Sequence, residues 1–151
     1  MDTQSAVEPS ELDEAESLAR LRSAAVGRLG VIVDGRPDIF PVNFVVDRGA
    51  VVFRTAEGTK LAACVGHHVA FEADSMDDAT DDAWSVVLKG TAREIVQLHD
   101  VLDALDLPIS PWHAGSKPRI VRIDRDSITG RQFHAASRAP AASAIRRAAD
   151  E

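Results

Sequence analysis

Val51-Val-Phe-Arg-Thr-Ala-Glu-Gly-Thr-Lys60 is the stretch on which the interpretation of this 151-residue chain depends. Its first part is rich in β-branched and aromatic residues, which predicts a strand that ends near Thr55. Gly58 then predicts a turn, and Lys60 begins a short apolar segment that is expected to be helical. Arg54 and Lys60 therefore flank one tight strand–turn–helix connection. A phosphate group fits such a connection, because a guanidinium, an ammonium and the N–H groups of a helix start can all donate to it.

Further strands and helices are predicted on both sides of this stretch from apolar periodicity and from turns rich in Gly, Pro and Asp. The predicted strands are 29–33, 38–46, 50–54, 69–73 and 84–95, with a last hairpin of 119–123 and 126–132. The predicted helices are 11–25, capped by Ser10 and ended by Gly27, then 59–66 and 97–105, followed by a loop over 106–118. Several antiparallel strands with few helices predict a mostly β domain, a small antiparallel barrel with peripheral helices.

Composition and charge narrow the class of protein. Residues 10–134 are expected to form one domain, between a disordered N-terminus (1–9) and a flexible Ala/Arg-rich tail (135–151). The formal net charge of −7 argues against a nucleic-acid partner, and no apolar run reaches the roughly 18 residues that span a membrane. Cys64 is the single cysteine, so no internal disulfide forms, and without a signal-peptide pattern a cytoplasmic location is expected.

The order of the segments resembles the pyridoxamine 5′-phosphate oxidase-like family. The segments that carry this resemblance are Gly27-Arg-Leu-Gly30, Pro37-Asp-Ile-Phe-Pro-Val-Asn-Phe44, Phe53-Arg-Thr55 with Lys60-Leu61, Val69-Ala-Phe-Glu-Ala-Asp74, Trp84-Ser-Val-Val-Leu-Lys-Gly-Thr-Ala-Arg93, Arg119-Ile-Val-Arg-Ile123 and Ile128-Thr-Gly-Arg131. Such proteins are FMN-binding split β-barrels that work as homodimers. The resemblance therefore implies an antiparallel split β-barrel, FMN as cofactor and a second copy of the chain as partner.

The resemblance points to a small branch of the family that includes nitroimidazole-reductase-like proteins. A true pyridoxamine phosphate oxidase carries an Arg-x-His pattern near its C-terminus for the phosphate of the substrate. This chain has Arg131-Gln-Phe-His134 instead, and it contains no tyrosine. Oxidation of pyridoxamine phosphate is therefore not expected.

The resemblance also assigns flavin-binding roles to twelve residues. The phosphate would be held by Arg54, Thr55 and Lys60. The ring would be lined by Pro41, Val42, Asn43 and Phe44, partly through backbone groups, and the ring or ribityl chain would be bordered by Trp84, Ser85 and Val86. The partner subunit would close the site with Trp112 or Arg131.

Other interpretations of these residues remain open. Arg54 and Lys60 could be a solvated strand end, and Thr55 a simple turn hydroxyl. Cys64-x-x-His67-His68 lacks the four ligands of a zinc site, and the acidic segment 72–82 lacks the spacing of a calcium loop, so no metal is expected.

The leading interpretation of function is an FMN-dependent oxidoreductase that acts on a small-molecule substrate or electron acceptor, with no catalytic side chain identified. A deazaflavin-dependent reductase is the first alternative, with Arg28, Arg36 or Lys89 as further cations for a longer acidic tail. A non-catalytic flavin- or haem-binding protein is the second.

Overall fold

The structure is a computed structural model that describes residues 10–109 and 119–134. The elements in this part of the chain are β1 (Ser10–Leu12), α1 (Glu14–Ser23), β2 (Val26–Val33), β3 (Arg36–Asp47), β4 (Ala50–Thr55), α2 (Thr59–Cys64), β5 (His68–Met76), β6 (Asp82–Glu94), α3 (Leu98–Leu105) and β7 (Arg119–His134). The expectations for 1–9, for 135–151 and for most of the loop before β7 fall outside the described residues. None of the helices in the described ranges is long and apolar enough to cross a membrane.

The strands close into a ring. They form one antiparallel sheet in the order β1-β7-β4-β3-β2-β5-β6, and β7 pairs with β6 as well. β7 allows this closure because it is long: its first residues pair with β4, its last residues pair with β1, and its other edge follows β6. Closing a sheet in this way removes exposed strand edges. The prediction of an antiparallel, mostly β domain with peripheral helices is confirmed.

Alternate side chains of the strands fill the inside of the ring. Phe53, Phe71, Leu29 and Leu88 are fully buried there, and burial of each such side chain contributes about 1.5–3 kcal/mol. The rings of Phe44 and Phe71 meet edge to face, with centroids 4.7 Å apart. The interior is therefore a packed core that leaves ligands to the outer surface.

The first helix begins later than predicted. Ser10–Leu12 pairs with β7 as a short strand, and Asp13 caps α1 instead of Ser10. The Asp13 side chain accepts a hydrogen bond from the Glu16 N–H at 2.8 Å, and the Glu16 side chain accepts one from the Asp13 N–H. This is a complete capping box. Gly27, predicted to end the helix, lies inside β2, where the ring of Phe71 occupies the space that a Cβ would need.

The predicted last hairpin is wrong, because β7 is one continuous strand. Its pairing with β6 shifts between Lys89–Ser127 and Gly90–Arg125, which leaves Asp126 as the extra residue of a β-bulge. Gly90 permits this shift, since a Cβ there would lie 2.1 Å from the Asp124 carbonyl oxygen. The charged residues around the bulge interrupt the apolar alternation and so resemble a turn in the sequence.

α3 covers part of the outer surface of the ring. Val52 of β4 and Ile120 of β7 point away from the main core and are buried against Ala104 of α3. Val45 packs against the same cluster. We call this surface, formed by Val45, Val52, Ile120 and α3, the covered face.

Candidate functional site

The end of β4 presents Arg54 and Thr55 on opposite sides of the strand. Val51 and Phe53 lie in the main core, whereas Val52 lies under α3, so the alternation places Arg54 on the outer surface, where it is half-buried. Thr55 is only 3% exposed, and its hydroxyl donates to the Ala56 carbonyl oxygen at 3.2 Å. Arg54 therefore lies on the outer surface, while the Thr55 hydroxyl is engaged within the turn.

The turn after β4 brings Lys60 close to β3. Gly58 has a φ of 148°, in a region that favours glycine, and its carbonyl oxygen accepts from the Ala62 N–H at 3.1 Å. α2 therefore begins directly after the turn. The Lys60 ammonium lies 5.6 Å from the centroid of the Phe40 ring, a favourable cation–π contact. This contact holds the half-buried Lys60 at the same end of the ring of strands as Arg54.

β3 continues this site along the outer surface. Phe44 pairs with Phe53, so Asn43 is the β3 residue next to the Arg54 position of β4, and like Arg54 it is half-buried. Val42 and Phe44 are each 3% exposed and belong to the core. Of the four predicted ring-lining residues, Asn43 and the exposed Pro41 therefore present side chains to the outside. Val42 and Phe44 can contribute backbone groups only.

The predicted residues of β6 and β7 form a second group. Ser85 pairs with Arg131, and Val86 pairs with Gly130. Trp84 and Val86 are buried in the core, whereas Ser85 is half-buried and Arg131 is exposed. Trp112 lies outside the described residues.

Arg54 and Arg131 are far apart along β7. Arg54 pairs with Ile120, and Arg131 lies eleven residues farther along the same strand, which is about 36 Å of extended chain. Across the other strands the two groups are closer, because Pro41 pairs with Arg28, whose guanidinium lies 3.4 Å from Asp74, the pairing partner of Ser85.

A further cation lies beside the phosphate-binding candidates. Arg119 is paired with Thr55 across β4 and β7. Its guanidinium donates to the Glu94 carboxylate and, at 2.6 Å, to the Glu57 carboxylate. The bond to Glu94 is the main reason that the pKa of Arg119 is raised. Arg119 thus fixes Glu57 of the turn, a role that the sequence did not suggest because its partners are distant in the chain.

The Cys and His side chains of the described residues do not form a metal centre. Cys64 is buried, its thiol donates to the Leu61 carbonyl oxygen at 3.5 Å, and burial raises the pKa of the thiol. His68 is exposed and lies 3.6 Å from Asp126. No three potential ligands lie together anywhere in 10–109 or 119–134.

Two cavities on the outer surface were not foreseen from the sequence. One, of about 510 Å³, lies beneath α3 at the border of the covered face and is lined by Arg93, Arg122 and Asp124 among others. The other, of about 560 Å³, runs along β2, β3 and β5 and includes Ile32 and Ile39. Neither includes Arg54 or Lys60.

Comparison with known proteins identifies the family to which this architecture belongs. A family model described as pyridoxamine 5′-phosphate oxidase matches residues 13–132. The chain belongs to the pyridoxamine 5′-phosphate oxidase-like family. Its ring of strands is accordingly the split β-barrel of that family, as the sequence predicted.

Several solved structures resemble this chain at about 40% sequence identity, and two of them serve as examples. A candidate pyridoxamine 5′-phosphate oxidase of Corynebacterium glutamicum is 42% identical, with a TM-score of 0.78 over 91% of this chain and 98% of that one. The FAD-binding protein of Mycobacterium smegmatis is 38% identical, with a TM-score of 0.73 over 83% of this chain and 99% of that one. A candidate 5-nitroimidazole antibiotic resistance protein of Bacteroides thetaiotaomicron shares the fold, at 16% identity and a TM-score of 0.67 over 84% of this chain and 89% of that one.

Proposed function

We propose that this protein binds a flavin nucleotide, with FMN as the first candidate, and acts as a flavin-dependent oxidoreductase. The observation that carries the proposal is the end of β4, where Arg54 and Lys60 flank one glycine turn beside the outward side chain of Asn43. A flavin supplies hydride and electron chemistry when it is bound, and the protein contributes binding, orientation and electrostatics.

The donor set suits the phosphate end of the cofactor. A guanidinium can donate two parallel hydrogen bonds to phosphate oxygens, and an ammonium adds a compact charge. Arg54 and Lys60 are both half-buried, which strengthens their interaction with an anion relative to a fully solvated pair. Asn43 has donor and acceptor groups for the polar edge of the ring.

FAD is the second candidate, because the Mycobacterium smegmatis relative at 38% identity is an FAD-binding protein. FAD would present a diphosphate to Arg54 and Lys60 and would require room for an adenosine beyond it. A deazaflavin coenzyme would require further cations. Arg28, one of those considered, lies 3.4 Å from Asp74, which makes it less available for that role.

The proposed functional unit is a homodimer. Ser85 and Arg131 lie together on β6 and β7, but far from Arg54 along β7. A second copy would allow both groups of residues to serve one flavin site. The same proposal includes a small-molecule substrate or acceptor and a cytoplasmic location.

The cofactor is tested by absorption spectra of the purified protein and by fluorescence titration with FMN, FAD and riboflavin. We expect saturable binding with quenched flavin fluorescence, and weaker binding of riboflavin, which lacks the phosphate. Absence of binding by all three flavins would contradict the proposal. A haem Soret band, or binding of a deazaflavin alone, would support the corresponding alternative.

The phosphate assignment is tested with Lys60→Ala. Hydrogen bonds to charged groups contribute about 1.5–3 kcal/mol, so FMN affinity is expected to fall by about 10–100-fold. Riboflavin affinity should stay unchanged in the same variant. Arg22→Ala, which removes an exposed cation from α1, is the matched control and should bind FMN normally. An equal loss for FMN and riboflavin would show that Lys60 does not act on the phosphate.

Activity is tested with the flavin-loaded protein. The flavin is reduced with a nicotinamide nucleotide or chemically, and its reoxidation by nitroaromatic and quinone acceptors is followed in stopped flow. Acceptor-dependent reoxidation faster than that of free flavin would support an oxidoreductase. Reoxidation no faster than that of free flavin with every acceptor would favour the non-catalytic flavin-binding alternative.

A further inference from the structure

The turn between β4 and α2 carries a carboxylate among the cations that are proposed to bind phosphate. Glu57 stands between Arg54 and Lys60 in the sequence, and its side chain is 76% exposed. A carboxylate repels a phosphate dianion, so on charge alone Glu57 would oppose the ligand of Arg54 and Lys60. The contacts of this carboxylate indicate a different role.

Arg119 ties Glu57 to a second carboxylate. The Arg119 Nη1 atom donates to Glu57 Oε1 at 2.6 Å. Its Nε and Nη2 atoms donate to the two carboxylate oxygens of Glu94, the second of them at 3.2 Å. A two-pronged pair of this kind fixes the orientation of the guanidinium. The Glu94 side chain is only 17% exposed, so Arg119 is anchored on its sheltered side and presents Nη1 to Glu57 in a fixed direction.

The anchor belongs to the ring of strands, whereas Glu57 belongs to an irregular connection. Arg119 is the first residue of β7 and pairs with Thr55, the last residue of β4. Glu94 is the last residue of β6, which pairs with β7. Glu57 lies in the short connection 56–58 between β4 and α2. Arg119 therefore joins this connection to the ends of two paired strands.

The connection has few other restraints. Gly58 has a φ of 148°, and glycine loses more conformational freedom on ordering than any other residue. No side chain of the described residues caps the start of α2, where Gly58 is the cap residue. Lys60 is the second residue of α2, so the position of its ammonium relative to Arg54 depends on how the connection is held.

We propose that Arg119 is a positioning residue for the flavin phosphate: by holding Glu57 it fixes the connection 56–58 and, with it, the separation of Arg54 and Lys60. The inference rests on the flavin-binding function proposed above. Arg119 acts through Arg54 and Lys60 and is not itself a ligand of the cofactor. A connection that is ordered before the ligand arrives avoids the entropic cost of ordering it on binding.

The decisive variant is Glu57→Ala, because positioning and simple charge predict opposite results. Loss of the tie should weaken FMN binding by about two- to fivefold, whereas removal of a repelling charge alone would tighten it. Riboflavin, which has no phosphate, should bind as it does to the wild type. Glu57→Gln keeps an acceptor oxygen for Arg119 and should recover part of the loss. Asp103→Ala, which removes an exposed carboxylate from α3, is the matched control and should leave FMN affinity unchanged.

A second variant tests whether Arg119 and Glu57 act as one unit. Arg119→Gln should weaken FMN binding by about three- to tenfold, and adding Glu57→Ala to it should cause no further loss. The mobility of the connection is measured without any flavin, by hydrogen exchange of the Ala62 N–H, which donates to the Gly58 carbonyl oxygen at 3.1 Å. This exchange should be faster in Glu57→Ala and in Arg119→Gln than in the wild type or in Asp103→Ala.

The outcomes distinguish this inference from the proposed function. A wild-type chain that binds none of FMN, FAD and riboflavin would overturn both. A wild type that binds FMN, with equal or tighter binding by Glu57→Ala, would overturn the positioning role alone. Losses that multiply in the double variant, or unchanged exchange of the Ala62 N–H, would also overturn it. Urea unfolding checks that each variant is folded, and Glu57→Ala, which alters an exposed side chain, tests the inference even where Arg119→Gln does not fold.

Discussion

The covered face and the outer surface of β2, β3 and β5, which we call the open face, carry similar apolar side chains and differ in what lies on them. Val52 and Ile120 of the covered face are 0% and 2% exposed because α3 packs on them. Ile32 and Ile39 of the open face are 58% and 67% exposed. On one side the chain supplies the cover itself, whereas on the other side the described residues leave the apolar side chains exposed.

The two faces also differ in whether their buried polar groups are hydrogen-bonded. At the border of the covered face, the Arg122 guanidinium donates to the Asp47 side chain and to the Asp47 carbonyl oxygen, both at 3.0 Å. At the open face, Glu72 Oε1 accepts no hydrogen bond from described residues. A buried polar group without a partner is costly. The hydrogen-bond network is complete where α3 covers the sheet, and it is incomplete at the open face.

The largest contrast is expected from placing a lysine on each face. Val52→Lys replaces a fully buried apolar side chain beneath α3 by a charged one and should destabilise the fold by about 3–5 kcal/mol. Ile39→Lys alters an exposed position, so the stability of the separate protomer should change by about 0.5 kcal/mol or less. Urea unfolding at low protein concentration measures both. Equal losses would mean that the two faces do not differ in burial within one chain.

The next effect concerns the ion pair at the border of the covered face. The Arg122 side chain is 11% exposed and the Asp47 side chain 25%. Arg122→Gln removes the more buried of the two charged donors to the Asp47 carboxylate and leaves the exposed Arg48, at 3.3 Å, which should cost about 2–3 kcal/mol in urea unfolding. Arg122→Lys should recover part of this loss, because one ammonium replaces the charge without the two-pronged geometry. Full recovery with lysine would show that charge alone, and not the paired hydrogen bonds, stabilises this border.

A smaller, pH-dependent effect is expected from Glu72 in the separate protomer. Its pKa is raised from 4.5 to about 7, so its contribution to stability is fully retained below about pH 4.5 and is lost as the pH rises to about 7. Glu72→Gln should remove this dependence and so increase the free energy of unfolding at pH 8. The measurement is urea unfolding of the wild type and of Glu72→Gln from pH 4 to pH 8 at low protein concentration. An unchanged pH profile would place Glu72 in an ordinary solvated environment.

Local sequence signals were sufficient for most of the fold. Alternation of apolar residues predicted the strands, and Gly58 predicted the turn that positions Arg54 and Lys60. The failures arose where a local signal had a non-local cause. Asp124 and Arg125 resembled a turn, but they lie within one continuous strand, next to the bulge residue Asp126 that lets β7 follow β6. Gly27 resembled a helix end, but Phe71, distant in the chain, is what requires a glycine there.

The candidate site was predictable only in part. The positions of Arg54, Lys60 and Asn43 at one end of the ring follow from neighbouring strands and a short turn. The tie between Arg119 and Glu57 could not be foreseen, because it depends on the register of β7 against β4. The distinction between the two faces depends on where α3 packs, and strand periodicity contains no information about that.

The smallest change in stability is expected for Arg93→Gln. This variant tests whether shelter by α3 or closeness of the charges stabilises the border of the covered face. Arg93 Nε lies 2.6 Å from Asp124 Oδ2, a shorter contact than that between Arg122 and Asp47. By distance alone Arg93→Gln should be the more damaging change. However, the side chains of this pair are 54% and 51% exposed, and water and salt screen exposed ion pairs, so the expected cost is about 0.5 kcal/mol or less. Urea unfolding at low and high salt should show a small loss that disappears with salt. If Arg93→Gln instead cost as much as Arg122→Gln, closeness of charges rather than shelter by α3 would determine stability at this border, and the contrast drawn between the two faces would lose its physical basis.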